Sequence, residues 1–126
     1  MEIYNESVRR RFANPQHAGD LQEPFEQTLD ADVCASVTGP RITMSAGIRD
    51  GRIAAIRFRA WGCPHLIAAA DRACEALQGE PVRALENPDL PGITEELSLP
   101  TGKAGLILLL EDALAALRAQ YAGDTN

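Results

Sequence analysis

The run Arg57-Phe58-Arg59-Ala60-Trp61 reads as a strand, and it passes through Gly62-Cys63-Pro64 straight into the helical stretch His65-Leu66-Ile67-Ala68. Few folds accommodate that order. Gly62 lets the backbone change direction sharply, and Pro64 suits the first turn of a helix, where its missing N–H leaves no bond unmade. Cys63 is thereby set at or beside a helix N-cap. Unpaired N–H groups and the positive end of the helix dipole favour a thiolate there, the form that attacks electrophiles and binds metal. His65 stands close by as a further charge or ligand. The plainer alternative is a small sulfur packed in a tight turn, followed by a solvated first-turn histidine.

The flanking sequence supplies a support for this joint. Ile3, Tyr4, Val8 and Phe12 form one apolar stripe on a helix over Glu2 to Asn14, ended by Pro15, with Arg9, Arg10 and Arg11 on its solvated face. Gln16 to Glu26 has no periodicity and reads as a loop; His17 within it has no metal-ligand partner nearby. Gln27 to Ser36 is a weaker strand because of Asp30 and Asp32, and Cys34 lies at its end or in the following turn, Ser36 to Pro40. Arg41 to Ile48 alternates apolar and polar residues, Asp50-Gly51 turns the chain, and Arg52 to Trp61 returns as the paired strand. Ile53 is out of phase with Ile56, which points to a bulge between them.

A helix is predicted over Pro64 to Gln78, stopped by Gly79, with Leu66, Ala70, Ala73 and Leu77 as its core stripe and Cys74 packed beside it. Prolines at 81, 88, 91 and 100 break the next segment into short turns over Val82 to Glu86 and Ile93 to Leu97. The last helix is Lys103 to Tyr121, with Ile107, Leu110, Leu114, Leu117 and Tyr121 on one face. Leu106, Leu108 and Leu109 make its first turns apolar all round, so that end is expected to be buried. The tail Ala122 to Asn126 is expected to fray.

At 126 residues the chain is expected to be one domain, 1–126. A net charge of −6 argues against a nucleic-acid-binding surface. With no apolar run of membrane-spanning length and no signal-peptide pattern, a cytoplasmic protein without a membrane partner is expected. Three cysteines are an odd number, and they fit a thiol or metal role better than a disulfide framework.

Five pieces then fall in a recognisable order: Tyr4-Asn5-Glu6-Ser7-Val8; Ala13-Asn14-Pro15 with Gly19; Gly51 with Arg57 to Cys63; Thr94 to Pro100; and Lys103 with Glu111-Asp112-Ala113-Leu114. Nearly end to end, the chain resembles the NifU/IscU-type scaffold proteins on which iron–sulfur clusters are assembled. The resemblance implies an α+β fold, a small three-stranded antiparallel sheet packed against about four to five helices, with a cluster site at one exposed end. It implies a scaffold and not an enzyme. Its implied partners are a cysteine desulfurase, which delivers persulfide sulfur, and cluster-accepting apoproteins.

The ligand pattern departs from that family. There, three cysteines aided by an aspartate or histidine arrive from three loops. Cys63 occupies the middle position, but the first falls near Val37-Thr38-Gly39 or Thr38-Gly39-Pro40 and the third at Gly105-Leu106, neither of which binds metal. Cys34 stands three or four residues early. If a loop shift carries it to Cys63, the two thiols and His65 make three donors, soft enough for iron or zinc. A [2Fe–2S] cluster, which takes four ligands, is then completed by a second copy in a homodimer or by a small thiol such as glutathione. Cys63 also has to accept persulfide sulfur, since Leu106 replaces the family's usual acceptor. Thr101-Gly102 alters the stretch at which the specialised chaperone docks. Two further readings compete: a cluster-free module that binds the desulfurase and regulates assembly, and a thiol enzyme with Cys63 as nucleophile and His65 as base.

Overall fold

The computed structural model describes residues 4–22, 24–86 and 88–121. Its elements are α1 (Glu6–Ala13), β1 (Gln27–Cys34), β2 (Arg41–Arg49), β3 (Arg52–Trp61), α2 (Pro64–Leu77), α3 (Leu90–Leu97) and α4 (Ala104–Gln120), with 3-10 turns at Val82–Glu86 and Thr101–Lys103. The strands form one antiparallel sheet in the order β1-β2-β3. The α+β class and the three-stranded sheet are as the sequence implied. The predicted helical turn at Ile93 to Leu97 is longer, because Asp89 caps it from below by accepting the Gly92 N–H.

Alternation builds the sheet. Leu29, Ile42, Met44, Ile56 and Phe58 point to the face covered by α2 and α4 and are fully buried. Burying each such side chain contributes roughly 1.5–3 kcal/mol. The aspartates that weakened the case for β1 lie on the opposite, solvated face. Asp30 accepts the hydroxyl of Ser45 directly across the ladder (3.0 Å), and Asp32 takes a two-pronged bond from Arg41 (2.9 and 2.7 Å). Asp50 (φ 56°) and Gly51 (φ 72°) both turn left-handed, the geometry of a tight hairpin. The bulge is present: Gly47 faces Ala55 while Ile48 faces Ile53, so Ala54 is the extra residue, and it brings Ile53 and Ile56 to the same buried face.

Both sheet edges are capped. On β3, Phe58 exchanges backbone bonds with His17 and Gly19, and Ile53 does so with Gly79 and Glu80. On β1, Gln120 at the end of α4 acts as a surrogate strand. Its Oε1 accepts the Asp30 N–H (2.9 Å) while its Nε2 donates to the Asp30 carbonyl.

Two expectations for the helices need correction. On α1, Val8 is buried as expected, but Phe12 is 48% exposed, and Arg11, expected in solvent, is the residue turned inward. A buried carboxylate on α2 draws it there. On α4, Leu108 is 60% exposed, so the apolar first turns are buried on one side only, at Leu106, Leu109 and Leu110. Ile3 and the tail from 122 lie outside the described residues.

Candidate functional site

Cys63 stands where the sequence put it, as the N-cap of α2, with extended backbone (φ −84°, ψ 166°) and Pro64 next. The other side-chain caps are spent on their helices: Asn5 accepts the Val8 N–H at 2.8 Å and Asp89 the Gly92 N–H at 3.1 Å. The Cys63 side chain makes no such bond, and it is only half-buried. Its sulfur is therefore uncommitted. Gly62 is required by close approach: a Cβ there would meet Leu66 Cδ2 at 3.0 Å and Pro40 Cβ at 3.3 Å. That tight packing draws the 38–40 loop against the mouth of the helix.

The result is a cleft of about 470 Å³ lined by Thr38, Gly39, Pro40, Trp61, Gly62, Cys63, Lys103 and Leu106. The three stretches the resemblance singled out, around residues 38–40, 63 and 106, thus converge on one cavity, yet only Cys63 brings a thiol to it. Leu106 is buried and makes an apolar wall.

The predicted partners of Cys63 are placed differently. His65 is not a solvated first-turn residue: it is 3% exposed, its ring lies 4.7 Å from that of Tyr4 at 55°, and Nδ1 is buried without a hydrogen bond. Burial, helped by the nearby Lys103 ammonium, pushes its pKa down, so the imidazole is held neutral. Cys34 is exposed at the end of β1, opposite Arg41. Arg41 itself lies between Asp32 and the Trp61 ring, 5.1 Å from its centroid. Among the described residues no three His, Cys, Asp or Glu side chains gather as a metal-holding group. Cys34, Cys63 and His65 are therefore not pre-assembled: one lies on the sheet end, one in the cleft, and one is turned toward Tyr4. Cys74 is fully buried, and burial followed by the Asp71 charge raises its thiol pKa, as expected of an inert core cysteine.

Sequence reasoning missed Asp71 and undervalued Lys103. Asp71 follows three alanines on α2, the helix that also carries the exposed Glu75, and a carboxylate directly after that apolar run was its signal. It accepts Arg11 Nη1 (2.8 Å) and the backbone N–H of His17 (2.9 Å), tying α1 and the following loop to α2.

A three-stranded sheet under four helices, with a cysteine at the mouth of the second, defines a recognisable class of small α+β protein. The NifU-like N-terminal domain family model matches residues 3–126. The chain is 31% identical over 122 residues to the iron–sulfur cluster assembly scaffold protein IscU of Escherichia coli K12, covering 94% of this chain and 93% of that one. It is 30% identical over 122 residues to the IscU of Azotobacter vinelandii, with the same coverage. The fold is shared with a crystal structure from Fervidobacterium islandicum AW-1, assigned as an iron–sulfur cluster assembly scaffold for the SUF system. There the TM-score is 0.65 at 14% identity, over 92% of this chain and 96% of that one. The chain belongs to the NifU-like N-terminal domain family. No helix among its described residues is long and apolar enough to cross a membrane.

Proposed function

We propose that this protein acts in iron–sulfur cluster assembly as a divergent scaffold working through a single cleft thiolate, Cys63. The observation that carries this reading is that Cys63 is an N-cap residue without a capping bond, opening on a cleft formed by the three stretches that carry ligands in the family. The donor set of one copy does not fit a whole cluster, since one thiol lines the cleft and a [2Fe–2S] unit takes four ligands. The cargo is accordingly iron, zinc or a cluster held by Cys63 together with donors from outside the cleft. These are a second copy, a small thiol, or Cys34 and His65 after the 35–40 loop and the His65 ring move.

For sulfur delivery, the Cys63 thiolate attacks the outer sulfur of a persulfide on a cysteine desulfurase. A new S–S bond forms at Cys63 and the bond inside the donor persulfide breaks. The donor thiolate leaves with the electron pair, and the proton stays on the transferred sulfur. Incubation with a cysteine desulfurase and free cysteine tests the step by intact mass. One added sulfur atom at Cys63, absent in Cys63→Ser, is expected; no added sulfur in the wild type contradicts it.

A second reading is favoured by the apolar wall that Leu106 makes and by the ungrouped donors. In it the chain is a cluster-free module that binds the desulfurase and competes with an assembling scaffold. Capture of the desulfurase by both wild type and Cys63→Ser, with no sulfur transferred, is the outcome this alternative requires.

A further inference from the structure

We propose that Lys103 is the specificity-determining residue of the Cys63 cleft, selecting a small carboxylate-bearing disulfide or persulfide as a further compound that reacts with Cys63 besides the desulfurase persulfide. This rests on the reading of Cys63 as a reactive thiolate. Among the described residues that line the cleft, Lys103 alone carries a charge, in a chain whose net charge is −6. It makes no ion pair with a described carboxylate, whereas Arg9, Arg11, Arg41, Arg59, Arg72 and Arg118 each do. No described residue spends this ammonium. Lys103 is half-buried, and the Cβ positions of its neighbours Gly102 and Gly105 face open space.

Size and chemistry set the partner. A cleft of about 470 Å³ suits a small molecule. A lysine ammonium is a point charge on a flexible stem, which recognises a carboxylate without demanding a fixed two-pronged geometry. The reaction is thiol–disulfide exchange. Cys63 sulfur bonds to one sulfur of the incoming compound, the old S–S bond breaks, and the departing thiolate carries the electron pair, so no outside oxidant is needed.

The test compares the rates at which Cys63 reacts with dianionic dithiobis(nitrobenzoate) and with neutral dithiodipyridine. Modification is assigned to individual cysteines by peptide mass, and Cys34 serves as an internal control. Lys103→Gln is expected to lower the anionic-to-neutral rate ratio at Cys63 about fivefold at low salt, while leaving the ratio at Cys34 unchanged. Lys103→Arg is expected to keep the ratio within about twofold, and added salt to reproduce the loss in the wild type. An unchanged ratio in Lys103→Gln, or a wild-type ratio indifferent to salt, overturns the inference. If Cys63 in the native protein is inert to both reagents, the thiolate reading fails and the inference with it; reaction with an unselective ratio removes the role of Lys103 alone.

Discussion

Arg11 Nη1 lies 2.8 Å from Oδ2 of Asp71, sixty positions away in sequence, and the same guanidinium reaches Glu75 at 2.7 Å. The pair is well covered, with Arg11 12% and Asp71 1% exposed at the side chain. It clamps α1 onto α2. Removing Arg11 leaves the Asp71 carboxylate buried with the His17 N–H as its remaining partner, so Arg11→Met is expected to cost about 3–5 kcal/mol in urea unfolding. Asp71→Ala leaves Arg11 its bond to Glu75 and is expected to cost less than Arg11→Met.

The clamp also sets an acid response. The hydrogen bond from Arg11 holds the Glu75 carboxyl below its ordinary value of 4.5. A carboxylate depressed in the folded state contributes stability above its unfolded pKa and loses it as pH falls through the folded value. Wild-type stability is therefore expected to drop more steeply below about pH 4.5 than that of Arg11→Met, as read from urea midpoints across that range.

The three cysteines are expected to separate by reactivity. Cys34 is exposed, Cys63 half-buried and Cys74 sealed with its thiol pKa raised. Under native conditions iodoacetamide modifies Cys34 and Cys63 and spares Cys74; in denaturant all three react. Peptide mass spectrometry reads the order directly. Native modification of Cys74 contradicts the packing of α2 against the sheet.

Gln120 closes the open edge of the sheet with its own amide. Gln120→Leu keeps a similar volume but removes both bonds to Asp30, with an expected cost of about 1 kcal/mol. Faster hydrogen exchange at the Asp30 amide is the specific signature. Unchanged exchange there contradicts the edge-capping role.

Much of this molecule was legible because local chemistry and tertiary structure agree. The Asp-Gly hairpin, the bulge at Ala54 and the stripe Leu66, Ala70, Ala73, Leu77 all follow from turn residues and hydrophobic period. What was illegible depends on partners remote in sequence. Arg11 turns inward only because Asp71 waits on another helix, and Phe12 stays out because Arg11 occupies that side. At the site, the strand–Gly–Cys–Pro–helix order located Cys63 correctly. No periodicity reports which way a first-turn histidine points, and it is Tyr4, brought in from the chain start, that draws the His65 ring away.

The missing third ligand gives a gain-of-function prediction. Leu106 shares the cleft with Cys63, so Leu106→Cys places a second thiol in it. Zinc affinity is expected to rise by about tenfold or more, measured by competition with a chelator, at a stability cost of about 1–2 kcal/mol for the lost side-chain volume. Equal zinc affinity in wild type and Leu106→Cys contradicts the convergence of these two positions.

Anaerobic reconstitution with iron and sulfide, followed by absorption spectroscopy with and without added glutathione, tests the role of Cys63 most directly. Thiolate-to-iron bands that strengthen with the added thiol and vanish in Cys63→Ser are predicted. Bands of equal strength in Cys63→Ser, or none in the wild type with glutathione present, contradict a scaffold that works through this one sulfur.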